Sequence, residues 1–164
     1  MQHILLVSDS HGNDDAVYDV MEKYLQWATI RIHCGDICSY DNRIEADFLC
    51  VRGNNDYNEE PYERIIDIEE RKVWITHGTR YTDFANQSRL VAKAKELGVD
   101  TVFYGHTHNP KVFQVDGITF INPGSLRYNR DGSGTSYALI NIDGKHISVK
   151  IEYIKPEVKH GFWF

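Results

Sequence analysis

Short apolar runs that end in polar residues recur along the first part of the chain. The first run, residues 4–7, is followed by Asp9, Ser10 and His11. An apolar run of this length, closed by polar residues and a glycine, is typical of a buried strand. Residues two apart in an extended backbone point to the same side. The pattern therefore predicts a strand that presents Asp9 and His11 together at its carboxyl end.

The same pattern occurs four more times. The further predicted strands are residues 30–34, 48–51, 72–76 and 101–104. They are followed, in that order, by Asp36, by Asn54, by His77, and by His106 and His108. Glycine stands beside each polar group, where tight turns and close backbone approach are expected. Because ligands bind beyond the carboxyl ends of strands in open α/β sheets, we expect these side chains to meet in one site.

Helical periodicity lies between the strands. One apolar stripe consists of Val17, Val20, Met21, Tyr24 and Leu25. We expect Asn13 to cap this helix at its amino end. A short helix is predicted around Ile44. A third helix, within residues 90–97, is expected to end at Gly98.

The later part of the chain has a hairpin pattern instead. Predicted strands 112–115 and 118–121 flank Asp116-Gly117, and predicted strands 137–142 and 145–151 flank Asp143-Gly144. A further edge strand is expected at 64–68. Strand-helix alternation followed by hairpins predicts an α/β fold with two sheets packed face to face and helices outside. At 164 residues, the chain is expected to form a single domain, 1–164.

The charge and the cysteines narrow the functional classes. A formal net charge of −6 argues against a non-specific grip on a nucleic acid polymer, which needs clustered Lys and Arg. Three cysteines are an odd number, and the apolar start is too short for a signal peptide or a membrane span. We therefore expect a cytoplasmic protein with reduced thiols and no membrane partner.

Seven residues of ligand type are more than one cation needs. They suit a pair of divalent ions about 3.5–4 Å apart that share a carboxylate. The proposed ligands are Asp9, His11, Asp36, Asn54, His77, His106 and His108. A mixed Asp, His and Asn set without thiolate favours Mn, Fe, Co, Ni or Zn in a reactive site over a structural zinc. We take Mn as the first choice, and the pattern leaves the metal open.

The ordered motifs resemble those of the calcineurin-like metallophosphoesterases. They are Asp9-x-His11, Gly35-Asp36, Gly53-Asn54-x-Asp56, His77-Gly78 and Gly105-His106-x-His108. The segment Asn122-Pro123-Gly124-Ser125 is similar to the small phosphodiesterase branch from bacteria and archaea. The resemblance implies a four-layer α/β/β/α sandwich of two mixed sheets flanked by helices. It also implies that Asp36 bridges two metals, one held by Asp9, His11 and His108 and the other by Asn54, His77 and His106.

The resemblance further implies a hydrolase of small phosphate esters, most of all diesters, that uses a hydroxide held by the two cations. The catalytic residues are then Asp36, His11, Asn54 and Asn55, and the substrate-binding residues are Asn55 and Arg127. Two positions depart from the family pattern. Asn55 stands where relatives often have His or Cys, and Thr79 stands where many have His. An amide cannot act as a general acid, so Asn55 is expected to donate hydrogen bonds only.

Two other functions remain open. The same fold serves a retromer subunit as a metal-poor scaffold for protein partners. The aromatic tail 162–164 is the feature here that supports such a role, or a homo-oligomer. A nuclease of the same superfamily would be expected to bring basic surface and extra DNA-binding elements, which this sequence lacks.

Overall fold

The computed structural model describes residues 1–154, so the predicted role of the aromatic tail lies outside the described residues. Three helices are present in this part of the chain: Asp14–Lys23 (α1), Arg43–Asp47 (α2) and Ser88–Leu97 (α3). The strands are Gln2–Val7 (β1), Ile30–His33 (β2), Leu49–Cys50 (β3), Glu63–Ile68 (β4), Arg71–Thr76 (β5), Thr101–Phe103 (β6), Lys111–Val115 (β7), Ile118–Asn122 (β8), Thr135–Asp143 (β9) and His146–Ile154 (β10).

The strands form two mixed sheets of five. The first has the order β10-β9-β1-β2-β3, with β1, β2 and β3 parallel and β9 and β10 antiparallel. The second has the order β4-β5-β6-β8-β7, in which β5, β6 and β8 are parallel and the edge strands are antiparallel. The edge position of β4 confirms the strand predicted at 64–68.

The alternating direction of side chains along the central strands produces four layers. In β1, Ile4 and Leu6 pack in the core between the sheets, whereas Leu5 and Val7 face outward towards the cluster that contains α1 and α2. In β5, Val73 and Ile75 face the shared core while Trp74 packs against α3. Side chains of a strand point alternately to its two faces, so each central strand contributes to two apolar clusters. The α/β/β/α sandwich of two mixed sheets flanked by helices is confirmed.

Helix boundaries differ from the sequence expectation at one end. Helix α1 ends at Lys23, and Leu25 is 50% exposed, so the predicted apolar stripe was too long. Asn13 occupies the cap position, but its side chain donates to the Leu126 carbonyl over 2.9 Å and caps nothing. Gly98 ends α3 in the left-handed conformation, at φ 67°, as expected. Among the described residues, no helix is long and apolar enough to cross a bilayer.

Both predicted hairpins form, one with a shifted turn. Asp116 and Gly117 have φ of 50° and 79°, as a type I′ turn requires. In the second hairpin Asp143 pairs with His146, so Gly144 and Lys145 are the turn residues. Only Gly144 has a positive φ there, at 60°, which fits the first central position of a type II′ turn. The turn therefore lies one residue later than predicted.

Candidate metal centre

The loops that follow β1, β2, β3, β5 and β6 meet at one edge of the sandwich, and their backbone is strained. Eight residues other than glycine have positive φ among residues 1–154. Six of them lie in these loops: Asp9, His11, Asp36, Cys38, His106 and His108. Such conformations are uncommon for residues with a side chain and cost about 1–3 kcal/mol each. Five of the seven proposed ligands are therefore held in conformations that the surrounding structure must enforce.

Two glycines are required by close approach of neighbouring chains. A Cβ atom on Gly53 would overlap the backbone nitrogen and carboxylate of Asp36, and one on Gly105 would overlap Ser8 and the Asp9 carboxylate. Neither glycine has a positive φ. These two glycines are needed because their loops pass directly against the carboxylates, which is the close approach expected from the sequence.

The carboxylate of Asp9 faces three imidazoles. Its Oδ1 atom lies 3.2 Å from His108 Nε2 and 3.8 Å from both His11 Nε2 and His77 Nε2. Its Oδ2 atom accepts hydrogen bonds from the Ser8 hydroxyl and the His106 backbone N–H. Only Oδ1 therefore points into the cluster.

The carboxylate of Asp36 lies between two of these rings. Its Oδ2 atom is 3.3 Å from His77 Nε2 and 3.4 Å from His11 Nε2. Asn55 donates its backbone N–H to Oδ1 over 2.9 Å and its side-chain amide to Oδ2 over 3.0 Å. Asp36 thus contacts imidazoles from both sheets, because His11 follows β1 and His77 follows β5.

Backbone carbonyls fix the orientation of two of the rings. His77 Nδ1 donates to the Cys34 carbonyl over 2.8 Å, and His108 Nδ1 donates to the Tyr128 carbonyl over 3.0 Å. A carbonyl only accepts, so in the neutral ring the hydrogen is on Nδ1 and the Nε2 lone pair faces the carboxylates.

Two buried polar atoms of the cluster lack hydrogen-bond partners. Among residues 1–154, Asp9 Oδ1 and His77 Nε2 are buried and have no hydrogen-bond partner. Burial opposes a charge on His77, but the Asp9 and Asp36 carboxylates raise the pKa of His77 to about 9. Burial likewise opposes a charge on Asp9, and His77 and His108 nevertheless hold the pKa of Asp9 well below its usual range. The cluster requires positive charge, and its oxygen and nitrogen donors suit a divalent cation.

Asn54 and His106 lie on the exposed rim of this cluster. Asn54 Oδ1 is 3.2 Å from His106 Nδ1 and accepts from the Thr79 hydroxyl over 3.4 Å. The His106 ring lies edge-on to His77, with centroids 5.2 Å apart. Both residues line an open cavity of about 380 Å³ together with His11, Asp36 and His108. All seven predicted residues therefore lie at one edge, where five form one connected cluster through Asp9 and Asp36 and two lie beside it.

Asp56 organises the loops and was given no role in the sequence analysis. Its carboxylate accepts backbone N–H groups from Asp36 and Gly53, each over 2.8 Å, and from Cys38 over 3.0 Å. These bonds tie the loop after β2 to the loop after β3. Its place in the Gly53-Asn54-x-Asp56 motif was the available signal. Both Asp56 oxygens already accept backbone N–H groups, so the group formed by Asp36, Cys38 and Asp56 is a poor metal site.

His33 supports the loop after β1 from below. The Gly35 N–H donates to His33 Nδ1 over 3.1 Å, so the hydrogen is on Nε2, which donates to the Ser10 hydroxyl over 2.9 Å. Burial lowers the pKa of His33 to about 4, so the ring is neutral. The ring is hydrogen-bonded on both nitrogens, so His33 supports the site loop and is not free to act as a ligand.

The loop after β8 completes the cavity. Ser125 donates its hydroxyl to the Asp9 carbonyl over 2.7 Å and accepts the backbone N–H groups of Arg127 and Tyr128. The exposed Arg127 lines the 380 Å³ cavity. Arg130, which sequence reasoning missed, lines it too, with its guanidinium 4.2 Å from the ring centre of Phe84. No motif spacing pointed to that contact.

Comparison with known proteins identifies the superfamily. Residues 1–145 match the calcineurin-like phosphoesterase superfamily domain. The chain belongs to this superfamily. A probable metallophosphoesterase from Methanothermobacter thermautotrophicus is 31% identical over 159 residues, covering 89% of each chain. The phosphodiesterase YfcE from Escherichia coli K12 is 25% identical, covering 87% of this chain and 89% of its own.

Solved structures share the architecture. A conserved protein of Streptococcus pneumoniae TIGR4, described as a predicted phosphoesterase, superposes with a TM-score of 0.82 at 28% identity, covering 93% of this chain and 89% of its own. Vps29 from Entamoeba histolytica, solved with Zn²⁺, has a TM-score of 0.74 at 21% identity, covering 93% and 98%. At that identity, the second likeness concerns the fold alone.

Proposed function

We propose that this protein is a metal-dependent phosphodiesterase that hydrolyses a small phosphate diester. The observation that carries the proposal is the buried cluster of two carboxylates and three imidazoles, in which Asp9 Oδ1 and His77 Nε2 have no hydrogen-bond partner among the described residues. Leaving such buried polar atoms unpaired costs about 1–3 kcal/mol each, so a bound cation is the natural compensation. Membership of the phosphoesterase superfamily supports the same chemistry.

We assign the ligands in two groups around Asp36. Asp9, His11 and His108 would hold one ion, and Asn54, His77 and His106 the other. Mn²⁺ is our first choice, with Fe, Co, Ni or Zn as alternatives. The chemistry that two such cations supply is Lewis-acid activation of the phosphate and of a water molecule as hydroxide near neutral pH.

The protein's own groups would bind and orient the ester. His11 is partly exposed to the 380 Å³ cavity, and Asn55, Arg127 and Arg130 line the same space. The arginines offer planar donors to phosphate oxygens. Asn55 has no proton to give to a leaving group, so this enzyme should favour esters whose leaving group departs unprotonated, such as phenolates.

Reconstitution tests the proposal directly. Metal-stripped protein is loaded with Mn²⁺, Ni²⁺, Zn²⁺ or Mg²⁺ and assayed on bis(p-nitrophenyl) phosphate and on p-nitrophenyl phosphate. We expect hydrolysis to return with a transition metal and to be faster on the diester. Full metal occupancy without turnover of either ester would contradict the proposal.

The second candidate is a catalytically weak scaffold that binds protein partners. The fold likeness to Vps29 favours it. A scaffold has no need of a full ligand set, whereas this chain has a ligand-type residue at each of the seven motif positions. Loaded protein that is inactive on both esters would favour the scaffold.

Four further properties complete the proposal. We infer a single domain, a location in the cytoplasm, a small phosphate ester as substrate instead of a nucleic acid polymer, and a homo-oligomer. Light scattering of the purified chain measures the last of these.

A further inference from the structure

A second cleft opens beside the candidate metal centre. Its volume is about 490 Å³, and Asn54 and His77 form the wall next to the centre. The loop after β3 and the loop after β5 form the rest. We call it the arginine cleft and define it by Arg52, Tyr62, Glu63, Arg80 and Tyr81. A phosphoryl group at the centre would therefore have room for one of its ester arms in this cleft.

The charge of the arginine cleft is opposite to that of the whole chain. The protein has a formal net charge of −6, yet the cleft contains two arginines and one glutamate. Within residues 1–154, neither Arg52 nor Arg80 forms an ion pair with a carboxylate. Burial and the neighbouring Glu63 carboxylate raise the pKa of Tyr81, so Glu63 lies on the Tyr81 side of the cleft.

Arg52 is held in place by its own loop. Its backbone N–H donates to the Pro61 carbonyl over 2.8 Å, and its Nε donates to the Asp56 carbonyl over 3.3 Å. Its guanidinium carbon lies 5.2 Å from the ring centre of Tyr62. These contacts leave the terminal N–H groups for a ligand and reduce the entropy lost on binding.

We propose that the arginine cleft binds an anionic group, a carboxylate or a phosphate, on the arm of the substrate. The inference rests on the proposed function and adds a substrate class to it: phosphate esters that carry a second negative charge on one arm. A guanidinium pair suits that chemistry because Arg presents a planar fork of donors to both kinds of anion.

Calorimetric titration of metal-loaded protein tests the cleft without any need for turnover. The probes are 4-carboxybutyl phosphate and its neutral counterpart, 4-carbamoylbutyl phosphate, which differ only in the charge at the end of the arm. We expect the carboxylate to bind about tenfold more tightly. Arg52→Gln and Arg80→Gln should each reduce that preference about threefold, and Glu63→Gln should increase it.

The controls separate this inference from the proposed function. Arg89→Gln, on the exposed face of α3, should leave the preference unchanged, and thermal unfolding of each variant shows whether it is folded. The Arg80 side chain forms no hydrogen bond or ion pair among the described residues, so its variant keeps the test valid if Arg52→Gln does not fold. Equal affinity for the two probes, or a preference that remains in both arginine variants, would overturn the inference that the cleft binds an anion, even if the protein hydrolyses diesters. A preference that disappears in the variants supports the cleft even if no ester is hydrolysed, in which case only the proposed function fails.

Discussion

Strand β5 connects two regions that differ in whether their buried charged groups have hydrogen-bond partners within the protein. At its start, the buried Arg71 donates to the Thr101 hydroxyl, the Lys145 and Asp100 carbonyls and, more weakly, the Thr119 hydroxyl. Just beyond its end, His77 faces the carboxylates of Asp9 and Asp36, and neither His77 Nε2 nor Asp9 Oδ1 has a hydrogen-bond partner among the described residues. The protein's own acceptors satisfy the charge of Arg71. The cluster around His77 needs a bound ligand to satisfy its polar atoms.

Backbone strain follows the same division. Two residues other than glycine have positive φ outside the site loops among residues 1–154: Glu69, between β4 and β5, and Asp116, in the hairpin between β7 and β8. Both lie in tight turns, where such conformations are ordinary. The other six lie in the loops of the candidate centre. We infer that the Arg71 end of β5 stabilises the fold, whereas the His77 end lowers its stability and in return provides a site for a ligand.

The strongest test of this contrast removes a carboxylate from the centre. Asp36→Asn should lower kcat on bis(p-nitrophenyl) phosphate at least about a thousandfold, equivalent to about 4 kcal/mol of transition-state stabilisation. The variant should remain folded, because the amide can still accept the Asn55 N–H. Bound metal measured by plasma emission should fall in parallel. Wild-type activity in a variant that has lost its metal would contradict the assignment.

The converse change removes the satisfied charge. Arg71→Met leaves buried acceptors unpaired and should lower the free energy of unfolding by about 3 kcal/mol in urea titrations. Metal content and kcat of the folded fraction should stay at wild-type values. Arg89→Met, at an exposed position on α3, is the matched control and should change stability little. A loss of metal in Arg71→Met would show that the two regions are coupled.

His33 makes stability depend on pH at the site end. The folded pKa of about 4 is below the ordinary value of 6.5, so between these values the unfolded chain binds more protons. The neutral His33 ring makes its full contribution to the free energy of unfolding above pH 6.5. This contribution decreases as the pH falls towards 4, and about 2 kcal/mol of it is lost at about pH 5. Urea titrations in chelator should show this slope in wild type, and His33→Gln should lack it. Parallel pH profiles in the two proteins would refute the assignment.

The smallest expected effect concerns position 55. Asn55→His introduces an acid beside Asp36 and should increase turnover of alkyl phosphate monoesters about tenfold, with little change for aryl diesters. Initial rates on a matched alkyl and aryl pair measure the ratio. An unchanged ratio would mean that leaving-group protonation does not limit this enzyme.

Local sequence patterns were sufficient for the elements and for the positions of the candidate ligands. Continuous apolar runs reflect burial of both faces of a central strand, which is why β1 and β5 could be predicted, and period-3.6 hydrophobicity reflects burial of one face of α3. Residues at the carboxyl ends of parallel strands share an edge of the sheet, so the convergence of Asp9 and Asp36 followed from the same pattern. The contact of Asp9 with His77 depends in addition on how the two sheets pack, because His77 follows a strand of the second sheet. The turn after Asp143 was misplaced by one residue because both Asp-Gly and Gly-x turns satisfy that sequence.

The sequence by itself therefore determined the layers of the sandwich and which side chains reach the edge with the candidate metal centre. Only the tertiary structure decided how these side chains are held. The carbonyls of Cys34 and Tyr128 set the histidine tautomers, Asp56 joins two loops, and Arg130 packs on Phe84. Such contacts connect residues that are distant in the chain, and hydrophobic periodicity contains no information about which distant backbone atom a side chain will meet.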